Sequence, residues 1–238
     1  MKKIVIIVPI HTEHTVNQLR LLTRVLVGCK QQIVPDRTTI ETIVFYNEYS
    51  LEKTVNIARD LGIKVVLVPN EFNGNAAIKH KYCYDYCVDA DYVMICQSDD
   101  IPYPTKCRAQ YSVMDINKDA FCNCGMIVSR DGIYTNTDFL HVDPYIYWAG
   151  YNPSCWLINK HIVKELPCLL ETPWAWDQVL FGAMLEMGNC KVLMNTLFEY
   201  NLHEDGGTHS IDVEQIRDGT DKSHDMLSKM KFKEVIFL

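Results

Sequence analysis

Two adjacent aspartates, Asp99 and Asp100, lie three and four residues after Cys96, the last residue of an expected strand, Asp91–Cys96, with an apolar centre. Neighbouring carboxylates repel each other, and a hard divalent cation that takes oxygen ligands from one or both of them relieves the repulsion. The pair therefore indicates either a metal site or a solvated turn before Pro102 in which an aspartate acts as a cap.

Asp177 carries another carboxylate of interest. It is the first residue of a segment, Asp177–Met187, whose composition favours a helix. The free N–H groups at a helix N-terminus stabilise an anion, which keeps such a carboxylate ionised and ready to accept a proton. The residue alone is compatible with two roles, a general base or a simple N-cap.

Short β-branched runs alternate with helical segments over the first hundred residues, the pattern of a parallel sheet with helices on its faces. Gly62 is expected to end the second helix as its C′ residue. The predicted strands are Ile4–Val8, Thr42–Tyr46, Ile63–Val68 and Asp91–Cys96, and the predicted helices are 13–27, 51–61 and 75–87.

The pattern changes after residue 100, so the doubly wound repetition ends there. We predict helices near Thr105–Met114, at Lys160–Glu165 and at Asp177–Met187. A β-hairpin over 121–134 with a turn at 131–132 and a strand at 191–194 are also predicted. No linker separates these parts, so residues 1–238 are predicted to form one domain with a nucleotide-binding half (1–100), an acceptor-binding half and a C-terminal extension (101–238).

Composition narrows the function classes. The 238 residues are 48% hydrophobic and 22% charged with a net charge of −7, which is typical of a globular protein and does not favour nucleic acid as a partner. The sequence contains no run of 18 apolar residues, so no transmembrane segment is predicted, although peripheral contact with a membrane stays open.

The ten cysteines lack the spacing of a disulfide framework and favour a cytoplasmic location. Cys122-x-Cys124 and Cys83-x₃-Cys87 are interpreted as buried thiols rather than zinc ligands.

Six segments between about residues 3 and 205 together resemble one known family. They are IVIIVPIHTE, IVFYNEYSLEKTVNIARDLG, NEFNGNAAIKHKY, DADYVMICQSDDIPYPTKCRAQ, TPWAWDQVLFGAMLEMG and FEYNLHEDGGTHS. In order and layout they are similar to the inverting family-two glycosyltransferases of the GT-A fold. The resemblance implies an α/β, doubly wound mixed sheet flanked by helices.

The resemblance also implies a site. Asp177 would be the catalytic base, and the nucleotide sugar would contact Pro9, His11, Glu13, Asn47, Lys79 and Ser98. Mn²⁺ or Mg²⁺ would be held by Asp99 and Asp100, together with His203 or its rival His209. The sequence departs from the family where Asn47 and Gln97 replace acids and where His11 occupies an aromatic position.

The expected substrates are a nucleoside-diphosphate sugar, with a UDP-sugar as first choice, and an acceptor hydroxyl on a glycan or another molecule, with modified DNA not excluded. Trp174 and Trp176 flank Asp177 and are the expected acceptor contacts, because aromatic faces pack against sugar C–H groups; core packing explains a tryptophan equally well.

Two other classes remain open. A GT-A nucleotidyltransferase favours a loop after strand one that carries glycine and a basic residue, and the sequence PIHTEHT has neither. An inactive sugar- or nucleotide-binding module would explain the loss of acids at Asn47 and Gln97, but Asp99 and Asp177 are retained.

Overall fold

The computed structural model describes residues 1–10, 15–50, 52–72, 75–130, 133–136, 152–167, 176–202 and 213–238. These residues form ten strands, six α-helices and 3₁₀ turns that include Asn70–Phe72 and Pro153–Cys155. None of the helices in this part of the chain has the length and hydrophobicity that a membrane crossing requires.

One mixed sheet contains all the described strands. They are β1 (Lys2–Pro9), β2 (Thr38–Tyr46), β3 (Lys64–Leu67), β4 (Tyr92–Ile95), β5 (Ile101–Pro102), β6 (Asp119–Arg130), β7 (Ile133–Asn136), β8 (Leu157–Asn159), β9 (Asn189–Leu202) and β10 (Val235–Phe237). The order is β10-β9-β6-β8-β4-β1-β2-β3, with β5 paired to β9 and β7 to β6. Strands β1 to β4 are parallel, and β8 runs antiparallel to β4 and β6. The predicted mixed α/β sheet is therefore confirmed.

Helices cover both faces of this sheet. They are α1 (Val16–Lys30), α2 (Glu52–Asp60), α3 (Ala76–Tyr86), α4 (Lys106–Val113), α5 (Trp176–Met187) and α6 (Val213–Ser228). Alternate residues of β1 enter different apolar clusters, as the period of a strand requires. Ile6 shares a cluster with Leu22 of α1, whereas Ile7 shares one with Tyr84 of α3 and Phe181 of α5.

Local capping explains where the first helices begin and end. Thr15 and Gln18 form a capping box at α1, with the Thr15 N–H donating to Gln18 Oε1 at 2.8 Å. Asn75 Oδ1 accepts from the N–H of Ala77 at 2.7 Å and caps α3. Gly62 has a φ of +65°, which confirms its predicted place after α2. The predicted elements of the first hundred residues are all present.

One predicted helix is wrong, because Lys160–Glu165 forms a turn and then an irregular segment. Asn159 Oδ1 accepts from the N–H of His161 at 3.0 Å, and the Asn159 carbonyl accepts from that of Val163 at 2.9 Å, so a single capped turn forms. Pro167 has no N–H with which to continue a helix from this turn. Lys160 Nζ donates to the carbonyls of Tyr84 and Cys87, so the segment caps the C-terminus of α3.

The predicted hairpin is present as β6 paired antiparallel to β7, and its turn at 131–132 lies outside the described residues. The predicted strand at 191–194 is part of the much longer β9. Helix α6 and strand β10 have no counterpart in the sequence prediction. Because strands from both predicted halves join one sheet, the halves are continuous, and their separate roles stay a prediction.

All nine cysteines in the described part of the chain are free and buried. Cys83, Cys87, Cys122 and Cys124 belong to this set, which confirms their interpretation as buried thiols. Within the same residues, no group of three or more histidine, cysteine, aspartate or glutamate side chains is arranged to hold a metal ion.

Gly188 joins α5 to β9, where a side chain has no room. A Cβ there would lie 2.8 Å from the carbonyl oxygen of Lys118 and 2.9 Å from the nitrogen of Ala120, both backbone atoms. Gly188→Ala is therefore expected to lower the free energy of unfolding by about 1–3 kcal/mol in urea titrations, since the start of β6 must move. Met187→Ala, at a 43% exposed position one residue earlier, is the control and should change stability by less than about 0.5 kcal/mol. Equal effects of the two substitutions would contradict this account of the junction.

Candidate nucleotide-sugar site

Three neighbouring parallel strands end at one edge of the sheet, and several predicted site residues follow them. Strand β1 lies between β2 and β4 and ends at Pro9, while Asn47 follows β2 and Ser98 and Asp99 follow β4. Ligands of open α/β sheets bind beyond the carboxyl ends of their strands. The topology therefore brings these predicted residues to one edge.

The acidic pair after β4 has two different environments. Asp99 is half-buried, and its carbonyl oxygen accepts from Asn201 Nδ2 at 2.8 Å. Asp100 is 1% exposed, and its Oδ2 accepts from Asn152 Nδ2 at 3.2 Å. Burial, and next the negative charge of Asp99, raise the pKa of Asp100 to about 8. Ser98 lies in the same loop and is half-buried.

The donor atoms in this loop fit a hard cation. Asp100 Oδ1 is buried without a hydrogen-bond partner among the described residues, and Asp99 supplies a second carboxylate beside it. Oxygen donors of this kind suit Mn²⁺ or Mg²⁺. The predicted third ligand, His203 or His209, lies outside the described residues, so the metal site stays a prediction.

Lys79 is buried on α3, and its Nζ donates to the carbonyl oxygen of Ile10, just beyond β1. Burial lowers the pKa of this lysine to about 8, which leaves most of the ammonium charged at neutral pH. The side chain thus brings a positive charge to the carboxyl end of the central strand. Its predicted contact with a diphosphate remains a prediction.

The next residue of α3 contacts the helix that carries Asp177. The His80 ring lies 4.5 Å from the Trp176 ring, centroid to centroid, at an angle of 37°. His80 Nδ1 lies 2.7 Å from the Ala76 carbonyl, and because a carbonyl can only accept, Nδ1 carries the hydrogen. Burial lowers the pKa of His80 to about 4, so the ring is neutral at physiological pH. This contact packs the N-terminus of α5 against α3, and part of the Trp176 ring is in contact with the protein itself.

Asp177 lies in the first turn of α5, as predicted, and its Oδ1 accepts from the N–H of Gln178 at 2.9 Å. Burial raises the pKa of Asp177 to about 6 and outweighs this hydrogen bond, which acts in the opposite direction. The expectation that the helix N-terminus dominates is therefore too simple. The carboxylate is still ionised at neutral pH, with a pKa close enough to neutrality for proton transfer.

Asn47 uses its side-chain oxygen within its own turn. Its Oδ1 accepts from the Tyr49 N–H at 3.0 Å and from Ser50 Oγ at 3.1 Å, and the residue is 5% exposed. The Asn47 carbonyl group therefore shapes the loop after β2. Its predicted contact with a nucleobase remains a prediction.

The sequence analysis missed the polar residues that surround the acidic loop, namely Asn152, Ser154 and Asn201. Asn201 is 102 positions from Asp99, and Asn152 is 52 positions from Asp100. No periodicity or spacing marks such contacts in the sequence. The predicted residues His11, Glu13, Trp174 and His203 lie outside the described part of the chain.

The mixed sheet with helices on both faces is the GT-A fold that the resemblance in the sequence implied. The chain is similar to crystal structures of S. aureus TarS. One is TarS 1–349 in complex with UDP-GlcNAc, with a TM-score of 0.72, 16% identity, and coverage of 98% of this chain and 68% of that one. TarS 1–349 in complex with UDP gives a TM-score of 0.69 at 16% identity, covering 98% and 67%. A further TarS structure gives a TM-score of 0.69 at 16% identity. The match covers 98% of this chain and 41% of that one.

No protein-family model and no curated protein matches the sequence significantly. At 16% identity the likeness to TarS shows a shared fold. The resemblance noted in the sequence is thus confirmed at the level of the GT-A fold.

Because Asp177 has a higher pKa in the folded protein than in an unfolded chain, folding favours its protonated form. The folded protein then binds more protons between pH 3.8 and about 6, and stability falls as the pH rises through that range. Asp177→Asn is therefore expected to raise the melting temperature more at pH 8 than at pH 4 in thermal-shift measurements. Asp225→Asn, at an exposed position on α6, is the control and should show no such difference. The same increase at both pH values for Asp177→Asn would refute the assignment.

Proposed function

We propose that the protein is a metal-dependent, inverting glycosyltransferase that moves a sugar from a UDP-sugar, such as UDP-GlcNAc, to an acceptor hydroxyl. The observation that carries the proposal is the GT-A fold shared with the UDP-GlcNAc and UDP complexes of TarS. Asp99, after β4, and Asp177, in the first turn of α5, would supply the acidic groups that such a reaction needs.

In the proposed reaction Asp177 accepts the proton of the acceptor hydroxyl. The hydroxyl oxygen then forms a bond to the anomeric carbon while the bond from that carbon to the diphosphate oxygen breaks. The nucleoside diphosphate leaves with the bonding electron pair, and one in-line displacement inverts the configuration. A general base contributes about 10²- to 10⁴-fold to such a step.

Negative charge develops on the diphosphate as it leaves. Asp99, assisted by Asp100, would hold Mn²⁺ or Mg²⁺, and the bound cation supplies charge neutralisation for the leaving group. Lys79 adds an ammonium group at the carboxyl end of β1. A charge held in place before the reaction needs no rearrangement when the bond breaks.

The acceptor is proposed only as a class, a hydroxyl of a glycan or another molecule. Trp176 begins the helix of Asp177 and is partly exposed, which supports a role beside an acceptor sugar. Modified DNA is the less favoured acceptor, because the net charge of −7 repels a polyanion. We also propose a cytoplasmic location, which the nine free, buried cysteines support.

Donor binding is testable without knowledge of the acceptor. UDP and UDP-GlcNAc with Mn²⁺ are expected to raise the melting temperature, because a ligand that binds only the folded state stabilises it by about 2.7 kcal/mol at 100 times its Kd. Asp99→Asn should remove the part of this increase that depends on Mn²⁺. Asp36→Asn, an exposed aspartate before β2 at the opposite end of the sheet, should retain it.

The same screen separates the competing classes of protein. Stabilisation by nucleoside triphosphate and sugar phosphate, without any by UDP or UDP-sugars, would favour a nucleotidyltransferase. Binding of UDP-GlcNAc without hydrolysis or transfer in the presence of Mn²⁺ would favour an inactive binding module. A lack of response to uridine, guanosine, cytidine and thymidine diphosphate sugars would overturn the glycosyltransferase proposal.

The pH dependence tests the role of Asp177. Only the carboxylate can accept a proton, so the rate of sugar transfer or donor hydrolysis should rise with pH through about 6 and then level off. Asp177→Asn is expected to lower kcat by about 10²- to 10⁴-fold with little change in UDP affinity. Asp60→Asn, at the exposed end of α2, is the matched control. A variant Asp177→Asn with full activity would exclude the residue as the base.

A further inference from the structure

The loop Gln97–Asp100 is held from two sides by side chains that are distant in sequence. Asn201 of β9 donates to the carbonyl oxygen of Asp99 at 2.8 Å. Ser154 Oγ accepts from the N–H of Gln97 at 2.9 Å, and the Asp100 carboxyl group accepts from Asn152. The first, third and fourth residues of the loop are therefore each fixed by contacts from outside it.

Ser154 lies in the 3₁₀ turn Pro153–Cys155, whose cap is Asn152. Asn152 Oδ1 accepts from the Ser154 N–H at 2.8 Å, which leaves its Nδ2 to donate to Asp100 Oδ2 at 3.2 Å. One amide group therefore both forms the turn and binds the acidic loop. A substitution at Asn152 would disturb the two features together.

Two buried polar residues of α4 hold the turn from beneath. Lys106 is 0% exposed, and its Nζ donates to the carbonyl oxygen of Ser154. Gln110, one turn further along α4, donates to the carbonyl oxygen of Cys155 at 2.6 Å and to that of Cys122 at 2.8 Å. Burying an ammonium group is costly unless it is well paired, so packing alone does not account for Lys106.

We propose that Asn201 and Ser154 are positioning residues, which hold the main chain of the acidic loop so that the Asp99 carboxylate meets the donor diphosphate and its cation. This inference rests on the proposed function. The Asp99 side chain, which would bind the cation, is half-exposed. Asn201 and Ser154, which bind the main chain of the loop, are 6% and 1% exposed. Partners that orient metal ligands typically contribute about 10- to 100-fold to metal affinity.

The test is binding of UDP to the full-length chain with and without Mn²⁺, measured by isothermal titration calorimetry, with unfolding measured in parallel. Asn201→Ala and Ser154→Ala are expected to weaken Mn²⁺-dependent UDP binding by about 10-fold or more, while binding without Mn²⁺ changes little. In a transfer assay the same variants should raise the Mn²⁺ concentration needed for half-maximal rate.

Asn159→Ala is the matched control. Asn159 is also a fully buried asparagine that donates to main-chain carbonyls, those of Ile116 and Asp119, but it pairs with Tyr92 at the opposite end of β4. The Asn159→Ala variant should lose about as much stability as the Asn201→Ala and Ser154→Ala variants, and it should bind UDP and Mn²⁺ like the wild type. If Asn201→Ala does not fold, Asn201→Leu keeps the volume and removes the donor.

The outcomes separate the two proposals. Weakened Mn²⁺-dependent binding in the Asn201 and Ser154 variants, together with normal binding by Asn159→Ala, supports the positioning role. Binding within about twofold of the wild type in folded Asn201 and Ser154 variants would overturn it and leave the glycosyltransferase proposal intact. Absence of UDP binding by the wild-type protein would instead contradict the proposed function.

Discussion

The buried carboxyl group of Asp100 is the constraint on which the arrangement of the candidate site depends. A polar group with 1% exposure must find hydrogen-bond partners inside the protein, because an unsatisfied one costs about 1–3 kcal/mol. The donor to its Oδ2 atom is Asn152 Nδ2, on a turn 52 residues along the chain. The hydrogen bond to Asp100 Oδ2 therefore holds this turn at the end of β4, while Asp100 Oδ1 has no partner among the described residues and the neighbouring Asp99 side chain is half-exposed.

Burial of the individual ionisable groups also determines the electrostatics of the candidate site. It raises the pKa of Asp100 to about 8 and that of Asp177 to about 6, and it lowers the pKa of Lys79 to about 8. Each shift favours the neutral form, so charging each group costs free energy that an approaching opposite charge would offset. Groups perturbed in this way by desolvation are concentrated at functional sites. A donor diphosphate beside Lys79 would restore the interaction that burial removes.

The sequence predicted what depends on local pattern. Asp99 could be predicted as a site residue because it lies three residues after a strand with an apolar centre, and Asp177 because a predicted helix begins there. Asn201 and Ser154 could not be predicted, since a polar residue in a strand or turn carries no periodic signal and its contact is far along the chain. The helix predicted after Asn159 is wrong because it does not continue beyond one capped turn, ahead of Pro167, which lacks the N–H that a further turn needs.

Helix α3 links the two sides of the proposed reaction. Successive residues of a helix point about 100° apart, so adjacent positions can reach different neighbours within one turn. Lys79 therefore contacts the carbonyl oxygen of Ile10 beyond β1, and the His80 ring contacts the Trp176 ring at an angle of 37° at the start of α5. Because His80 also donates to the Ala76 carbonyl, its ring is fixed to the helix that carries it. Two consecutive positions of α3 thus contact both the end of β1 and the start of α5, and neither side chain can rotate without losing a hydrogen bond.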